Sequence, residues 1–444
     1  MKTESLTKGP VRKSILMFAL PILGTSLIQL CYSMVDLMVA GRILGAQAAA
    51  AIGSGDLITA LLTGFFVGFS VGATVTAAHL SGNGRTEKLN PLITAVFTSG
   101  LAGASVICIC AIGMAPLFLK WLAVPQEIFS SALSYLQIYL ISMIPVVLFN
   151  LSSGVLRAVG DSRSPFRAQL FGGICNVILD LVFTVVIHLD VAGLAAASTI
   201  SQTVCAAFAV YRLKTLSGGS FRELLGPVRH AGLGKVFRIG VPAGLQSVGI
   251  TLSNLVIQNQ INLLGTDVIA AFTIYFKIEM FIYLPILALG QAVLSFTGQN
   301  IGAGESGRVR SGFRFSLAAG CLFTVISAVL MLLSARNICS VFISSLTVID
   351  ICRTVMGYTL PFYFLYVLLE CMSARMRAEG NSTVPMVTVL VAFCGIRVLT
   401  ILVLKTMVPG VEAAALAYPV SWSAADLILY SCYYLTGKKS KSMS

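Results

Sequence analysis

The sequence predicts an all-α polytopic membrane protein, in which twelve transmembrane helices form two six-helix bundles related by pseudo-twofold symmetry around a central cleft. Three observations carry this prediction. Of the 444 residues, 57% are hydrophobic and only 11% are charged, whereas a soluble globular chain has about 25% charged residues. The apolar residues form twelve long runs, and the second half of the chain repeats the first. This pattern excludes cytosolic enzymes, nucleic-acid-binding proteins and disulfide scaffolds.

Each apolar run is long enough to cross a bilayer, which takes about 20 predominantly apolar residues in a helix. The first run is too long for a cleavable signal peptide, so we expect none. The twelve runs cover residues 14–40, 46–78, 91–117, 128–156, 164–188, 192–213, 234–263, 268–299, 311–334, 348–374, 384–406 and 412–435.

The basic residues predict the orientation of these helices. Of the 30 lysines and arginines, 23 fall in one set of connections and termini, five fall in the opposite set, and Lys277 and Arg397 lie within spans. Cytoplasmic loops carry the excess of basic residues. With an even number of spans, both termini are therefore expected in the cytoplasm.

An internal repeat divides the chain into halves. Residues 150–166 (NLSSGVLRAVGDSRSPF) match residues 370–386 (ECMSARMRAEGNSTVPM) in six positions, at an offset of 220 residues. Six helices in each half give both halves the same orientation, which is the parallel repeat of an alternating-access transporter. We expect an N-lobe at 1–216 with helices 1–6, a cytoplasmic linker at 217–230, and a C-lobe at 231–444 with helices 7–12.

Ionisable residues inside the predicted spans are costly, so they indicate function. An uncompensated buried carboxylate either takes up a proton or binds a cation. For Asp56 and Asp426 a structural role is favoured over an ionic one. The acids within spans outnumber the two basic residues; they are Asp36, Asp56, Asp180, Glu279, Glu370 and Asp426.

Polar side chains of the first half share helix faces. Asn176 and Asp180 are four residues apart on the fifth helix, and Tyr32 and Asp36 have the same spacing on the first. Pro21, about four turns before Asp36, removes a backbone hydrogen bond and permits a bend. A bend that depends on the charge of Asp36 would act as a switch. The alternative is that these groups only tie helices together by hydrogen bonds.

The repeat makes these acids more informative, because the second half lacks them. The positions that correspond to Asp36, Asn176 and Asp180 are occupied by Val256 or Ile257, by Ile396 and by Thr400. A repeat kept for packing alone need not differ in chemistry between its halves. The asymmetry therefore predicts an ion-coupling site in the first half.

The second half carries a different charged cluster, formed by Lys277, Glu279, Glu370 and Arg397. Lys277 and Glu279 are two residues apart and do not face each other on a helix. We expect Lys277 to pair with Glu370. Whether the cluster is a structural ion-pair network or takes part in substrate binding or coupling stays open.

On these residues the chain resembles the multidrug and toxic compound extrusion (MATE) transporters over nearly its full length. The matching segments are Pro21 with Val35-Asp36, Arg157 to Pro165, Asn176-x-x-x-Asp180, Gly193 to Thr199, Gln299 to Gly304, and Arg377 to Pro385. One departure concerns the seventh helix, where some members carry a glutamate and this chain has Gln246.

The resemblance implies export of amphipathic, often cationic, compounds in exchange for protons or sodium ions. Carried over to this sequence, the cation-coupling residues of the branch with an N-lobe cation site are Tyr32, Asp36, Asn176, Asp180 and Thr199, with Pro21 as the hinge. A sodium ion would be held by Asp36, Asn176, Asp180 and Thr199.

The expected function is thus a proton- or sodium-driven multidrug antiporter of the bacterial inner membrane. It would act as a monomer on small amphipathic substrates, without a cofactor, without nucleic acid and without enzymatic activity. One alternative is a flippase for a lipid or a lipid-linked precursor. The excess of acidic over basic residues in the spans argues against such an anionic cargo. An intramembrane enzyme is a weaker alternative, because no histidine pairs with a candidate nucleophile.

Overall fold

The computed structural model describes residues 5–122, 124–217, 232–408 and 410–442, which contain no β-strand. Helices dominate because backbone polar groups in a bilayer must be satisfied within the segment. The helices are α1 (Val11–Val39), α2 (Ala46–Gly82), α3 (Leu89–Trp121), α4 (Gln126–Ile141), α5 (Met143–Ala158), α6 (Arg163–Leu181), α7 (Val191–Ser217), α8 (Leu233–Asn262), α9 (Thr266–Gly302), α10 (Ser306–Leu333), α11 (Ala335–Ser340), α12 (Leu346–Thr359), α13 (Tyr363–Ala378), α14 (Thr383–Val389), α15 (Val398–Met407) and α16 (Val411–Ser442).

Three π-helical segments join or extend these helices. Ala40–Leu44 follows α1, Val182–Val186 follows α6, and Leu390–Arg397 connects α14 to α15. The extensions of α1 and α6 begin soon after Asp36 and Asp180, so both acids lie near places where the regular helical pattern changes.

Eleven helical stretches of the described chain are long and apolar enough to cross a membrane, by length and composition. They coincide with the first eleven predicted runs. The twelfth run lies in α16, a helix of 32 residues that is less apolar. Pro419, Trp422 and Asp426 lower its hydropathy, which explains why composition alone singles it out less clearly.

The repeat seen in the sequence recurs in the backbone. Three pairs of glycines at an offset of 220 residues have matching left-handed φ angles: Gly45 and Gly265 (97° and 101°), Gly84 and Gly304 (73° and 77°), and Gly160 and Gly380 (93° and 93°). The fourth stretch, Gln126–Ala158, is interrupted at Ser142, and the tenth, Leu346–Ala378, is interrupted at Leu360–Phe362. The two halves therefore share turns and helix breaks as well as sequence.

The turn after Gly160 shows how the repeat specifies structure locally. In the first half, the Ser164 backbone N–H donates to Asp161 Oδ1 over 2.9 Å. In the second half, the Val384 backbone N–H donates to Asn381 Oδ1 over 3.3 Å. Side-chain oxygens at this position satisfy amide groups that a helix start leaves without an intrahelical partner.

The chain forms two compact units. Among the described residues, the first comprises those up to Lys8, those of Met17–Gly244 and those of Gly298–Gly304; the second comprises those of Gly9–Leu16, those of Leu245–Thr297 and those from Glu305 onward. The predicted linker at 217–230 lies outside the described residues, apart from the backbone of Ser217. The predicted lobe boundaries therefore stay a prediction.

Each unit has its own core. In the first unit, Phe97 of α3 and Leu151 and Val155 of α5 belong to one buried apolar cluster. In the second unit the rings of Tyr363 in α13 and Trp422 in α16 pack edge to face, with centroids 4.9 Å apart.

Candidate functional site

Three helices of the first unit approach closely because glycines face their neighbours. A Cβ atom at Gly24 in α1 would lie 2.6 Å from the Phe166 ring of α6. A Cβ atom at Gly173 in α6 would lie 2.9 Å from Ile28 of α1, and Gly172 faces α7 in the same way. Only residues without a side chain allow this approach, which positions the polar groups described next.

Asp36 of α1 faces polar groups on two other helices. Its Oδ2 accepts a hydrogen bond of 3.3 Å from the Ser198 hydroxyl of α7. The side chains of Asn176 and Asp180 on α6 also lie within interaction range of its carboxylate. The structure thus brings together three of the residues that the sequence predicts for a cation site, and we call Asp36, Asn176 and Asp180 the acidic cluster.

In the acidic cluster, Asn176 and Asp180 are buried and Asp36 is half-buried, and the cluster is incompletely bonded. Asp180 has no exposed surface and Asn176 is only 1% exposed. In the described chain, neither oxygen of Asp180, neither polar atom of the Asn176 amide, nor Oδ1 of Asp36 has a hydrogen-bond partner. Two adjacent carboxylates in such surroundings are stabilised by a proton or a cation. Carboxylate oxygens can bind either a proton or a metal cation.

Tyr32 lies one helical turn before Asp36 and belongs to the edge of the cluster. Its hydroxyl accepts a hydrogen bond of 2.9 Å from Gln202 Nε2 of α7, and Gln169 of α6 also interacts with it. Tyr32 therefore links the same three helices that carry the acids. Neither glutamine was singled out from the sequence.

Thr199 is oriented differently from the sequence-based expectation. Its hydroxyl donates to the backbone oxygen of Ala195 over 2.8 Å and of Ile138 over 3.3 Å. The hydroxyl that reaches Asp36 belongs to the preceding residue, Ser198. The Ser-Thr pair was visible in the sequence, but the rotational phase of α7 decides which of the two faces α1.

Pro21 lies within α1, which continues from Val11 to Val39. Its backbone oxygen accepts a hydrogen bond of 2.9 Å from the Thr25 hydroxyl. Because proline has no N–H, the helix lacks one of its regular hydrogen bonds here. A hinge at Pro21 stays a prediction.

The second unit contains a pocket built around Arg397. This guanidinium is 1% exposed and lies 3.8 Å from the centre of the Phe393 ring. Its Nε donates to Ser421 Oγ over 2.8 Å, and its Nη1 donates to Asn254 Oδ1 over 3.1 Å. Fixed in this way, the arginine helps to line a cavity of about 320 Å³, which we call the arginine pocket.

Glu279 of α9 lines the same pocket. It accepts a hydrogen bond from the Tyr363 hydroxyl and interacts electrostatically with Arg397. One turn further along α9, the Tyr283 hydroxyl lies 3.4 Å from the Tyr366 hydroxyl. Two predicted members of the C-lobe cluster, Glu279 and Arg397, are therefore brought to one site.

The structure separates Lys277 from Glu370, which the sequence analysis expected to pair. Glu370 of α13 lies against Gly290 of α9, where an added Cβ would be 2.6 Å from its Oε1. Gly290 is 13 residues beyond Lys277 on the same helix, a distance of about 20 Å at 1.5 Å per residue. The charge that acts on Glu370 is instead that of Arg377.

Two further buried groups lie outside both sites. Asp426 of α16 has both carboxylate oxygens without a partner among the described residues, whereas the side chain of Asp56 lies outside the described part. Arg377 donates through Nη2 to Gln246 Oε1 over 2.9 Å.

In the described chain, no group of three or more His, Cys, Asp or Glu side chains forms a site for a metal ion.

The amino-acid sequence is similar to those of several known proteins. The probable multidrug resistance protein YoeA of Bacillus subtilis is 25% identical over 98% of this chain and 96% of its own length. The multidrug export protein MepA of Staphylococcus aureus is 22% identical over 97% of this chain and 96% of its own length. The FAD transporter of Shewanella oneidensis is 24% identical, with coverages of 97% and 96%.

Solved structures share the fold. A mutant of VcmN, a MATE transporter of Vibrio cholerae, superposes with a TM-score of 0.88 at 20% identity, covering 97% of both chains. A MOP superfamily transporter from Pyrococcus furiosus gives a TM-score of 0.89 at 19% identity and 98% coverage of both. The MatE family model matches twice, at residues 21–182 and 242–403, once in each half. The chain therefore belongs to the MatE family of multi-pass membrane transporters, which are not enzymes.

Proposed function

We propose that this protein is a secondary active antiporter that exports amphipathic, mainly cationic organic compounds in exchange for protons or sodium ions. The observation that supports this best is the acidic cluster. Asp36, Asn176 and Asp180 lie together on two helices, and five of their buried polar atoms have no hydrogen-bond partner in the described chain. A proton or a sodium ion would bind to the oxygens among these atoms.

The coupling follows from the position of the cluster between helices. Asp36 is on α1, while Asn176 and Asp180 are on α6 and Ser198 is on α7. A bound cation would draw the oxygens of α1 and α6 together, and its loss would leave two carboxylates that repel each other. Two packings of α1 would then alternate with occupancy. If the cation and the exported compound favour different packings, each weakens the binding of the other by the same factor.

The proposed cargo rests on the relatives and on charge. Several curated relatives are named as multidrug resistance or multidrug export proteins. Acids outnumber bases within the predicted spans, which favours cationic over anionic cargo. We further propose that the protein works as a single chain in the bacterial cytoplasmic membrane with both termini in the cytoplasm, as the distribution of basic residues predicts.

The test is efflux of a cationic dye from an efflux-deficient bacterial host that produces wild type, Asp36→Asn or Asp180→Asn at matched membrane abundance. The control is Asp350→Asn, because Asp350 is exposed and, within the described part of the chain, its carboxylate pairs with Arg353 alone, one turn away. We expect each cluster variant to lower efflux by about tenfold or more, within the usual range of coupling energies, and the control to match wild type. Proteoliposomes with only a proton gradient or only a sodium gradient then identify the ion.

Undiminished efflux in both cluster variants would contradict a coupling role for the acidic cluster. No dye efflux from abundant wild-type protein would contradict the cargo instead. That second result would favour the flippase for a lipid or lipid-linked precursor.

A further inference from the structure

The arginine pocket uses spans of the second half that correspond to the spans carrying the acidic cluster in the first. At the repeat offset of 220, Arg397 corresponds to Val177, which follows Asn176, and Ser421 corresponds to Ser201. Both sites use the first, fifth and sixth spans of their half, and the arginine pocket also uses the second and fourth. The charges differ, since a guanidinium and a carboxylate, those of Arg397 and Glu279, line the pocket, whereas the acidic cluster carries two carboxylates. The pocket therefore differs in chemistry from the proposed cation site.

The guanidinium of Arg397 keeps donors available for a ligand. Arginine carries five N–H groups, and the described residues accept from two of them, at Ser421 Oγ and Asn254 Oδ1. The remaining N–H groups belong to a side chain that lines the cavity. Their planar arrangement suits the two oxygens of a carboxylate.

The pocket walls are aromatic. Phe393 and Tyr418 hold the guanidinium at 3.8 and 4.8 Å from their ring centres, and Trp422 and Tyr366 pack at 5.6 Å between centroids. A cavity of about 320 Å³ lies at the small end of the range for ligand sites, which is roughly 300–1,000 Å³. A flat ring bearing one anionic group matches both the walls and the volume.

Glu279 is the acidic side chain in the lining of this pocket. In the described chain it forms no direct ion pair with Arg397, although the two charges interact across the pocket. Its hydrogen bond from Tyr363 holds its carboxylate at the wall. A ligand carboxylate that reaches Arg397 is attracted by the arginine and, when Glu279 is ionised, repelled by Glu279.

We propose that the arginine pocket binds a small planar aromatic carboxylate, with the carboxylate on Arg397 and the ring against the aromatic wall that includes Trp422. This is a second ligand site with a charge preference opposite to that of the proposed cationic cargo. It does not depend on the acidic cluster or on cation coupling.

The test uses the fluorescence of Trp422, because the chain has only one other tryptophan, Trp121. Trp121 is 78% exposed and lies in the first unit, so Trp121→Phe in the full-length purified protein leaves one reporter in the pocket. The probes are 4-nitrobenzoate and its neutral isostere 4-nitrobenzamide, both of which quench tryptophan. Free N-acetyltryptophanamide corrects for collisional quenching and absorption.

We expect saturable quenching by 4-nitrobenzoate, with an affinity about tenfold or more above that of the amide, since a hydrogen bond to a charged group contributes about 1.5–3 kcal/mol. Arg397→Gln should abolish this preference. Glu279→Gln should instead tighten 4-nitrobenzoate binding several-fold at alkaline pH, where Glu279 is ionised, because it removes the repelling charge. Lys277→Gln, two residues away on α9 and not part of the pocket lining, is the matched control and should change neither affinity.

Equal binding of the two probes, or no saturable quenching by either, would overturn the proposal. So would a carboxylate preference that survives Arg397→Gln, or a Glu279→Gln variant whose 4-nitrobenzoate affinity at alkaline pH is unchanged or reduced. The Glu279 variant keeps the test decisive if Arg397→Gln does not fold, because loss of structure cannot raise an affinity.

Discussion

The Asp36 carboxylate accepts a hydrogen bond from Ser198, while the hydroxyl of the next residue, Thr199, donates to backbone oxygens of Ala195 and Ile138. Consecutive residues of a helix are about 100° apart around its axis. Ser198 and Thr199 therefore form hydrogen bonds with different partners, although they are neighbours in the chain. Ser198 contributes a ligand-type oxygen to the acidic cluster, and Thr199 does not contribute its hydroxyl in this conformation.

Ser198→Ala should change the apparent affinity for the coupling ion by about tenfold, because it removes a hydrogen bond to the charged Asp36 carboxylate. A proton should bind more tightly, since that hydrogen bond stabilises the ionised carboxylate, whereas a sodium ion should bind more weakly, since it loses a neighbouring oxygen ligand. For Thr199→Val the apparent ion affinity should stay within about threefold of wild type. In the described chain its hydroxyl donates to backbone oxygens, which accept hydrogen bonds within their own helices as well. The measurement is dye transport in proteoliposomes as the ion gradient is varied. A larger effect for Thr199→Val than for Ser198→Ala would show that Thr199 joins the site.

Gly24→Ala should lower the thermal stability of the purified protein, because its Cβ would meet the Phe166 ring at 2.6 Å. Overpacking of this kind costs about 1–3 kcal/mol. Gly103→Ala in α3 is the matched control, since nothing lies within 4 Å of its added Cβ. A Gly24→Ala/Phe166→Leu double variant should recover part of the loss. An unchanged melting temperature for Gly24→Ala alone would contradict the close approach of α1 and α6.

Gly160→Ala and Gly380→Ala should destabilise the protein to a similar degree, because both positions have a φ angle of 93°. A left-handed conformation costs a residue with a Cβ about 1–2 kcal/mol. Denaturant unfolding in detergent micelles measures the two free energies. Asn at either position should cost less than Ala, because asparagine adopts this conformation more readily. Two unequal losses, one of them near zero, would refute the structural equivalence of the two turns.

Gln246→Leu should destabilise the second unit, because it removes the acceptor of the buried Arg377 guanidinium. A buried charged donor that loses its acceptor costs about 1–3 kcal/mol or more. In a double-mutant cycle with Arg377→Met, the combined loss should be smaller than the sum of the single losses. Gln258→Leu on the same helix is the control, since Gln258 bonds only to the nearby Asn262. Additive losses in the cycle would show that the two side chains are not coupled.

Much of the fold was predictable because it depends on local chemistry. The apolar runs predicted the helices, since a bilayer leaves no other way to satisfy the backbone. The repeat predicted that Gly160 and Gly380 would have the same role, and their φ angles agree. The family resemblance was confirmed by a family model that matches each half separately. The spacing of Asn176 and Asp180 placed both on one face of α6, and the structure adds Asp36 to them.

The sequence by itself thus determined the membrane environment, the helices, the repeat and the helix faces, because each depends on residues a few positions apart. Only the tertiary structure decided which faces meet. It selected Ser198 over Thr199 as the partner of Asp36. It also separated Lys277 from Glu370 and joined Glu279 and Arg397 in one pocket. Contacts between helices depend on their rotation and axial shift, which the spacing of residues along one helix does not encode.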